Sequence, residues 1–257
     1  MARRLVISGA SSGLGRALAL EYAAPGVSLG LLGRNSERLD EVAVQARAKG
    51  AAVETAVLDV RDREGMSAFP LRFDGDSPVD CVIASAGVTS VTPGGGEVED
   101  LAKAKELFDI NIGGVLNTIA PLAPLMRRRR AGQIAILSSI AAFAPTPDAP
   151  AYSASKAALI NFALAMRALY RADGVSVSVI CPGFVDTPMT SSFVSWKPWL
   201  LSAEDAARRM RRGLERRKAL IAFPLPLYLA ARGQQMLPPA LQSRLMLAFR
   251  AKQTPSG

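Results

Sequence analysis

Residues 4–15 read Arg4-Leu-Val-Ile-Ser-Gly-Ala-Ser-Ser-Gly-Leu-Gly15, and a helical pattern over residues 16–23 follows without a break. A short apolar run, a tight glycine turn and a helix make the setting in which a glycine motif signals dinucleotide binding. Glycines suit that turn because it is sharp and its backbone must come close to a pyrophosphate. The helix behind it offers first-turn N–H groups and the positive end of its dipole to the phosphates. The plainer alternative is a glycine turn that merely joins a strand to a helix.

Apolar runs recur outward from this segment, at residues 5–7, 27–32, 53–58, 81–84, 134–137 and 175–180. They are short and nearly continuous, as strands covered on both faces are. Helical stretches fall between them, over residues 36–49, 98–127 and 151–171. This alternation predicts an α/β fold: a doubly wound parallel sheet of about seven strands with helices on both faces. The 257 residues suit a single domain, and 49% hydrophobic content supplies a large core. Ser36 and Ser202 are expected to cap helices, the latter opening a Ser-Ala-Glu-Asp capping-box pattern. The stretch 91–96 reads as a glycine-rich surface loop. A final strand is expected over 219–223, so the catalytic domain would span 1–223, followed by a hydrophobic and basic extension over 224–257.

The chemistry-bearing residues cluster after the strands. The second strand ends in Gly33-Arg34-Asn35, where a site for NAD usually places a carboxylate on the ribose 2′-hydroxyl, about 20 residues past the glycine loop. A guanidinium suits a 2′-phosphate instead, which favours NADP(H) over NAD(H). A solvated arginine is the competing reading. Further on, Ser139 ends an apolar run, and Tyr152 is followed by Lys156 one helical turn later. At that spacing a phenol and an ammonium share a helix face. A nearby positive charge favours the phenolate, so Lys156 is expected to lower the Tyr152 pKa and ready it for acid–base work.

Together these residues resemble the short-chain dehydrogenase/reductase family in its single-domain form, from Arg4 to about Phe223. The glycine loop matches the family's cofactor signature, with Ser8 where threonine is commoner. Asp59-Val60 resembles the pair that borders the adenine, and Ser85-Ala86-Gly87 resembles the Asn-Ala-Gly motif with serine in place of asparagine. Asn111, Ser139, Tyr152 and Lys156 fall in the order of the family's catalytic tetrad, and Pro182-Gly183 followed by Val185 and Thr187 resembles the segment that holds the nicotinamide. The resemblance implies a Rossmann-like fold with a cofactor held by Gly9, Ser11, Ser12, Gly13, Leu14, Gly15, Arg34, Asp59, Val60, Ala86, Gly87, Tyr152, Lys156, Pro182, Gly183, Val185 and Thr187. It implies that Tyr152 passes the proton and that Lys156 depresses its pKa and bonds the ribose. Ser139 would hold the substrate oxygen, and Asn111 would anchor a water that links Lys156 to solvent. It also implies a homodimer or homotetramer.

The expected activity is an NADP(H)-dependent interconversion of a carbonyl and a secondary alcohol. A cofactor-binding regulatory or scaffold protein is the alternative. Residues 189–201, with Phe193, Trp196 and Trp199, read as a lid over an apolar pocket, so the substrate is expected to be a moderately hydrophobic alcohol or ketone. Histidine is absent from the chain, which excludes histidine-based hydrolytic triads and argues against a zinc enzyme, and no metal site is expected. Cys81 and Cys181 lie in apolar runs and read as buried hydrophobes, and no signal peptide precedes the first strand, so a reducing cytoplasm is the expected compartment. The formal charge is +9, concentrated at 127–130 and 208–218. It comes without a nucleic-acid reader motif, so no nucleic-acid partner is expected. The tail could lie peripherally on a membrane, cover the cleft or pack in an oligomer interface.

Overall fold

The computed structural model describes residues 3–90, 99–191 and 197–248. The first half of the chain runs β1 (Arg4–Ser8), α1 (Gly13–Tyr22), β2 (Ser28–Gly33), α2 (Ser36–Ala48), β3 (Ala52–Val57), α3 (Arg63–Asp76) and β4 (Cys81–Ala84). Then come α4 (Leu101–Phe108), α5 (Gly114–Ile119), α6 (Ala123–Arg128), β5 (Gly132–Leu137), α7 (Pro150–Tyr170) and β6 (Val175–Pro182). The chain closes with α8 (Pro188–Ser191), α9 (Ala203–Glu215), β7 (Leu220–Phe223), α10 (Leu225–Gln234) and α11 (Pro239–Ala248).

The strands form one parallel sheet in the order β3-β2-β1-β4-β5-β6-β7. Two cores line its faces, and strand parity sorts the residues between them. Leu5, Ile7, Leu29, Leu31, Cys81 and Ile83 pack on the face covered by α1, α2 and α9. Val6, Leu32, Val82, Ile134, Ile136 and Val177 pack on the face covered by α3, α5 and α7. A sheet buried on both faces needs the near-continuous apolar strands seen in the sequence. The run 53–58 departs from that reading. β3 is an edge strand that packs on α2, and Val57 is 55% exposed.

The sequence predicts one helical stretch over 98–127; residue 98 lies outside the described residues, and the rest is broken into α4, α5 and α6. A π-helical turn, Asp109–Gly113, sits between α4 and α5. Such an inserted turn is common at functional sites because it redirects a side chain without ending the helix, and here it carries Asn111. Asn35, not Ser36, caps α2, its side chain accepting from the Arg38 N–H at 2.8 Å. Ser202 caps α9 as expected, accepting from the Asp205 N–H at 3.0 Å. α3 escaped the sequence reading because Gly65, Pro70 and Gly75 interrupt its pattern; its cap is Asp62.

The segment after β7 continues the same body. Ala231 of α10 is 4% exposed within the core, and Leu227 and Tyr228 pack against it. The Tyr228 ring meets Phe143 edge-on, with centroids 5.3 Å apart, and the Arg232 guanidinium lies 5.4 Å from the Phe143 ring centre. No helix among the described residues is long and apolar enough to cross a membrane. The sheet order reverses direction between β1 and β4, and in open α/β sheets the crevice beyond the strand ends at such a point is where ligands bind.

Candidate active site

A cleft of about 330 Å³ opens at that reversal, beyond the carboxyl ends of β1, β4, β5 and β6. Its floor is the glycine loop. Gly9 has φ +69°, and a Cβ there would lie 2.7 Å from the Ala86 Cα, so the turn after β1 touches the segment after β4 backbone to backbone. A Cβ on Gly15 would meet the Gly9 carbonyl oxygen at 2.2 Å, so only glycine lets α1 start directly on this turn. Ser12, the N-cap of α1, makes no side-chain cap bond, and the intrahelical ladder begins with the Arg16 N–H donating to the Ser12 carbonyl at 3.1 Å. The N–H groups of Gly13, Leu14 and Gly15 therefore precede the ladder and line the cleft. That donor set fits a pyrophosphate.

Arg34 follows β2 at one end of the cleft, its side chain 58% exposed and its Nη1 3.6 Å from Asp59 Oδ2. Asp59 is more firmly held by Arg61, whose Nε and Nη2 donate to it at 3.0 and 2.8 Å. These bonds, with the guanidinium charge, hold the Asp59 carboxyl down at about 2. Arg38, in the first turn of α2, lines the same end and was not singled out from the sequence. The signal was available: Arg38 falls in the first turn of the helix that follows the end of β2, beside the cleft that Arg34 borders.

The four residues expected to form the tetrad meet at the other end. Asn111 is fully buried; its Oδ1 accepts from the Val88 N–H at 2.8 Å, and its Nδ2 donates to the Val88 carbonyl at 3.0 Å and to Ser155 Oγ at 3.1 Å. It thereby ties the segment after β4 to α7. A Cβ on Gly87 would lie 3.1 Å from Asn111 Oδ1 and 3.3 Å from Lys156 Nζ, which places both groups against the same glycine. Ser139 caps a 3₁₀ turn over Ile140–Ala142, its Oγ accepting from the Ala141 N–H at 3.1 Å. Tyr152 and Lys156 reach the cleft from the first turns of α7.

The electrostatics differ from the expectation for Tyr152. Burial pushes the phenol above its ordinary range, while a hydrogen bond with Ser139 pulls it the other way. Lys156 does not lower it here. Its Nζ donates to the Leu137 carbonyl at 3.1 Å and stands 5.6 Å from the Tyr152 ring centre. Burial brings Lys156 itself down to about 8. Cys81 and Cys181 are free and buried, and burial pushes each thiol up to about 12, which leaves them inert.

Asp59, Val60, Ala86, Gly87, Pro182, Gly183, Val185 and Thr187 all border the cleft, as do Gly9, Ser11, Ser12 and Gly13. Pro188 joins them unforeseen, and Met189 and Thr190, the start of the expected lid segment, border the cleft from α8. Thr190 Oγ1 accepts from the Thr187 N–H at 3.1 Å and donates to the Val185 carbonyl, which fixes this wall. Of the expected lid, Trp199 is 54% exposed, while Phe193 and Trp196 lie outside the described residues.

The family model described as short chain dehydrogenase matches residues 3–198. The chain belongs to the short-chain dehydrogenase family. An uncharacterised oxidoreductase of Myxococcus xanthus is 34% identical over 237 residues, covering 92% of this chain and 93% of that relative. A short-chain dehydrogenase from Sphingobium yanoikuyae, solved in complex with NADPH, superposes with a TM-score of 0.78 at 25% identity, covering 98% of both chains. One from Mycobacterium paratuberculosis, bound to NAD, shares the fold with a TM-score of 0.74 at 24% identity, over 86% of this chain and 94% of that one.

Proposed function

We propose that this dehydrogenase uses NADP(H) to interconvert a carbonyl and a secondary alcohol. The carrying observation is that Ser139, Tyr152 and Lys156 converge in the same cleft as the glycine loop. A bound nicotinamide supplies the hydride; the chain positions the reacting carbon and handles the proton. The first-turn N–H groups of α1 hold the pyrophosphate. Arg34 and Arg38 hold the 2′-phosphate, supported by the absence of a carboxylate in Gly33-Arg34-Asn35.

Ser139 donates to the substrate oxygen and stabilises the negative charge that develops on it. Tyr152 then delivers its proton to that oxygen. Burial raises the phenol, so at neutral pH it carries the proton that carbonyl reduction needs. Lys156, held against the Leu137 carbonyl, bonds the ribose and supplies positive charge below its pKa of about 8. The reverse reaction needs the phenolate and therefore improves at alkaline pH.

The test is NADPH consumption, followed by absorbance, with a panel of ketones and aldehydes. Tyr152→Phe should lose at least ~100-fold in kcat, the usual share of a general acid, with cofactor affinity retained. Turnover in Tyr152→Phe equal to that of the wild type defeats the assignment.

A further inference from the structure

Helix α7 carries Tyr152 in its first turn, yet its own N-cap residue, Ala149, has no side chain able to cap it. The missing acceptor comes from elsewhere. Glu99 Oε2 accepts the Ala151 N–H at 2.9 Å, and Glu99 Oε1 accepts the Ser90 hydroxyl. Ser90 belongs to the segment that leaves β4 and lines the cleft through Ser85, Ala86, Gly87 and Val88. One half-buried carboxylate therefore clamps the two walls of the cleft together, one residue from the phenol.

We propose that Glu99 is a positioning residue for the reaction, setting the Tyr152 phenol by capping α7 from the opposite wall. The proposal rests on the dehydrogenase reading above. Asn111 already ties the same two walls together deeper in the cleft, through Val88 and Ser155. Two ties at separate heights fix both the spacing and the tilt of a helix start; one alone leaves it a pivot. The carboxylate also sits at the positive end of a 21-residue helix, where a negative charge is favourable and offsets that end's pull on neighbouring groups. Three other titratable groups surround this helix start. Lys156 and Cys181 face the phenol from α7 and β6, and Asp148 is buried in the turn that leads into α7.

The experiment compares wild type, Glu99→Ala and Glu99→Gln. It measures kcat and KM for a reducible carbonyl, NADPH affinity by fluorescence, and phenol ionisation by difference absorbance against Tyr152→Phe. The last readout needs no turnover. Glu99→Ala should lower kcat about tenfold, the scale expected of a slightly misplaced reacting group, with NADPH affinity unchanged within about twofold. Glu99→Gln still accepts the Ala151 N–H and should recover kcat to within about threefold of wild type. Both variants lack the charge, so in both the phenol should ionise ~0.5 pH unit lower as the helix end acts on it unopposed.

A kcat and a phenol midpoint unchanged in Glu99→Ala, with only a lower melting temperature, would show a purely structural tie and overturn the proposal. Wild-type protein that turns over no carbonyl defeats the reaction reading instead. The absorbance titration then still decides whether Glu99 controls the phenol.

Discussion

The proposed reading has cofactor choice decided at the end of β2, and Arg34→Ala is the perturbation that tests it. Arg34 is 58% exposed, so the ~1.5–3 kcal/mol of a charge-assisted bond to phosphate is taken at its lower end because solvent screens it. About 1.5 kcal/mol corresponds to a roughly tenfold rise in the NADPH dissociation constant. Asp59 keeps its bonds to Arg61 when Arg34 is removed, so the fold should not suffer. Arg38 lines the same end, so the Arg34→Ala/Arg38→Ala double variant should lose about 100-fold if the two contributions add. NADH has no 2′-phosphate and should bind all the proteins alike. Fluorescence titrations of both cofactors at about 50 and 300 mM salt make the measurement. The NADPH preference should shrink at the higher salt in wild type and stay flat in the double variant. Equal wild-type affinity for NADH and NADPH, or a parallel loss of both in Arg34→Ala, refutes the assignment.

Two further outcomes follow from buried groups. Asn111→Ala leaves the Val88 N–H and the Val88 carbonyl without their Asn111 partner, while Ser155 Oγ keeps its bond to the Tyr152 carbonyl; each orphaned group costs ~1–3 kcal/mol, so urea unfolding should show a loss of at least ~2 kcal/mol. A loss below ~1 kcal/mol would mean that water repairs the site. Lys156 has a folded pKa of about 8 against 10.5 unfolded, so the unfolded chain binds more protons between those values and stability rises with pH there. The gain is up to ~1.4 kcal/mol per pH unit from this group alone. The raised thiols of Cys81 and Cys181 act the other way over the same range, because in the unfolded chain they titrate near 9, so the Lys156 contribution has to be read as a difference between proteins. Chemical denaturation of wild type and Lys156→Met at pH 8 and 9 isolates the slope as the difference between the two proteins. A slope unchanged by the substitution removes Lys156 as its source.

The sheet and the cofactor end of the cleft were legible because their determinants are local. A strand covered on both faces must be apolar along its length, and a turn that touches a neighbouring backbone must be glycine, as Gly9 and Gly15 are. The place of Arg34 beside the cleft was legible for the same reason: it follows the end of a strand. Elements whose form depends on distant partners were not readable in this way. The π turn at Asp109–Gly113 has no composition of its own. It persists because Asn111 reaches Val88 and Ser155, groups 23 and 44 residues away. The break hid inside a stretch whose apolar spacing still reads as one helix.

The phenol shows the limit of reasoning from spacing. Four residues along a helix bring Lys156 beside Tyr152, and that much held. Spacing cannot say where a flexible ammonium goes once buried, and here it donates to the Leu137 carbonyl of β5. With the charge directed there, desolvation dominates the phenol and its pKa moves up. Proton delivery is then the property built into the protein itself. Proton abstraction requires added positive charge next to the ring, whether by a shift of the Lys156 side chain or by an oxidised, cationic nicotinamide. The equilibrium constant ties the two directions together at any one pH, so the role of the ammonium is read from pH profiles instead. Lys156→Met should move the alkaline rise of alcohol oxidation to higher pH, and a profile that only drops in height would show that the ammonium acts only by holding the cofactor.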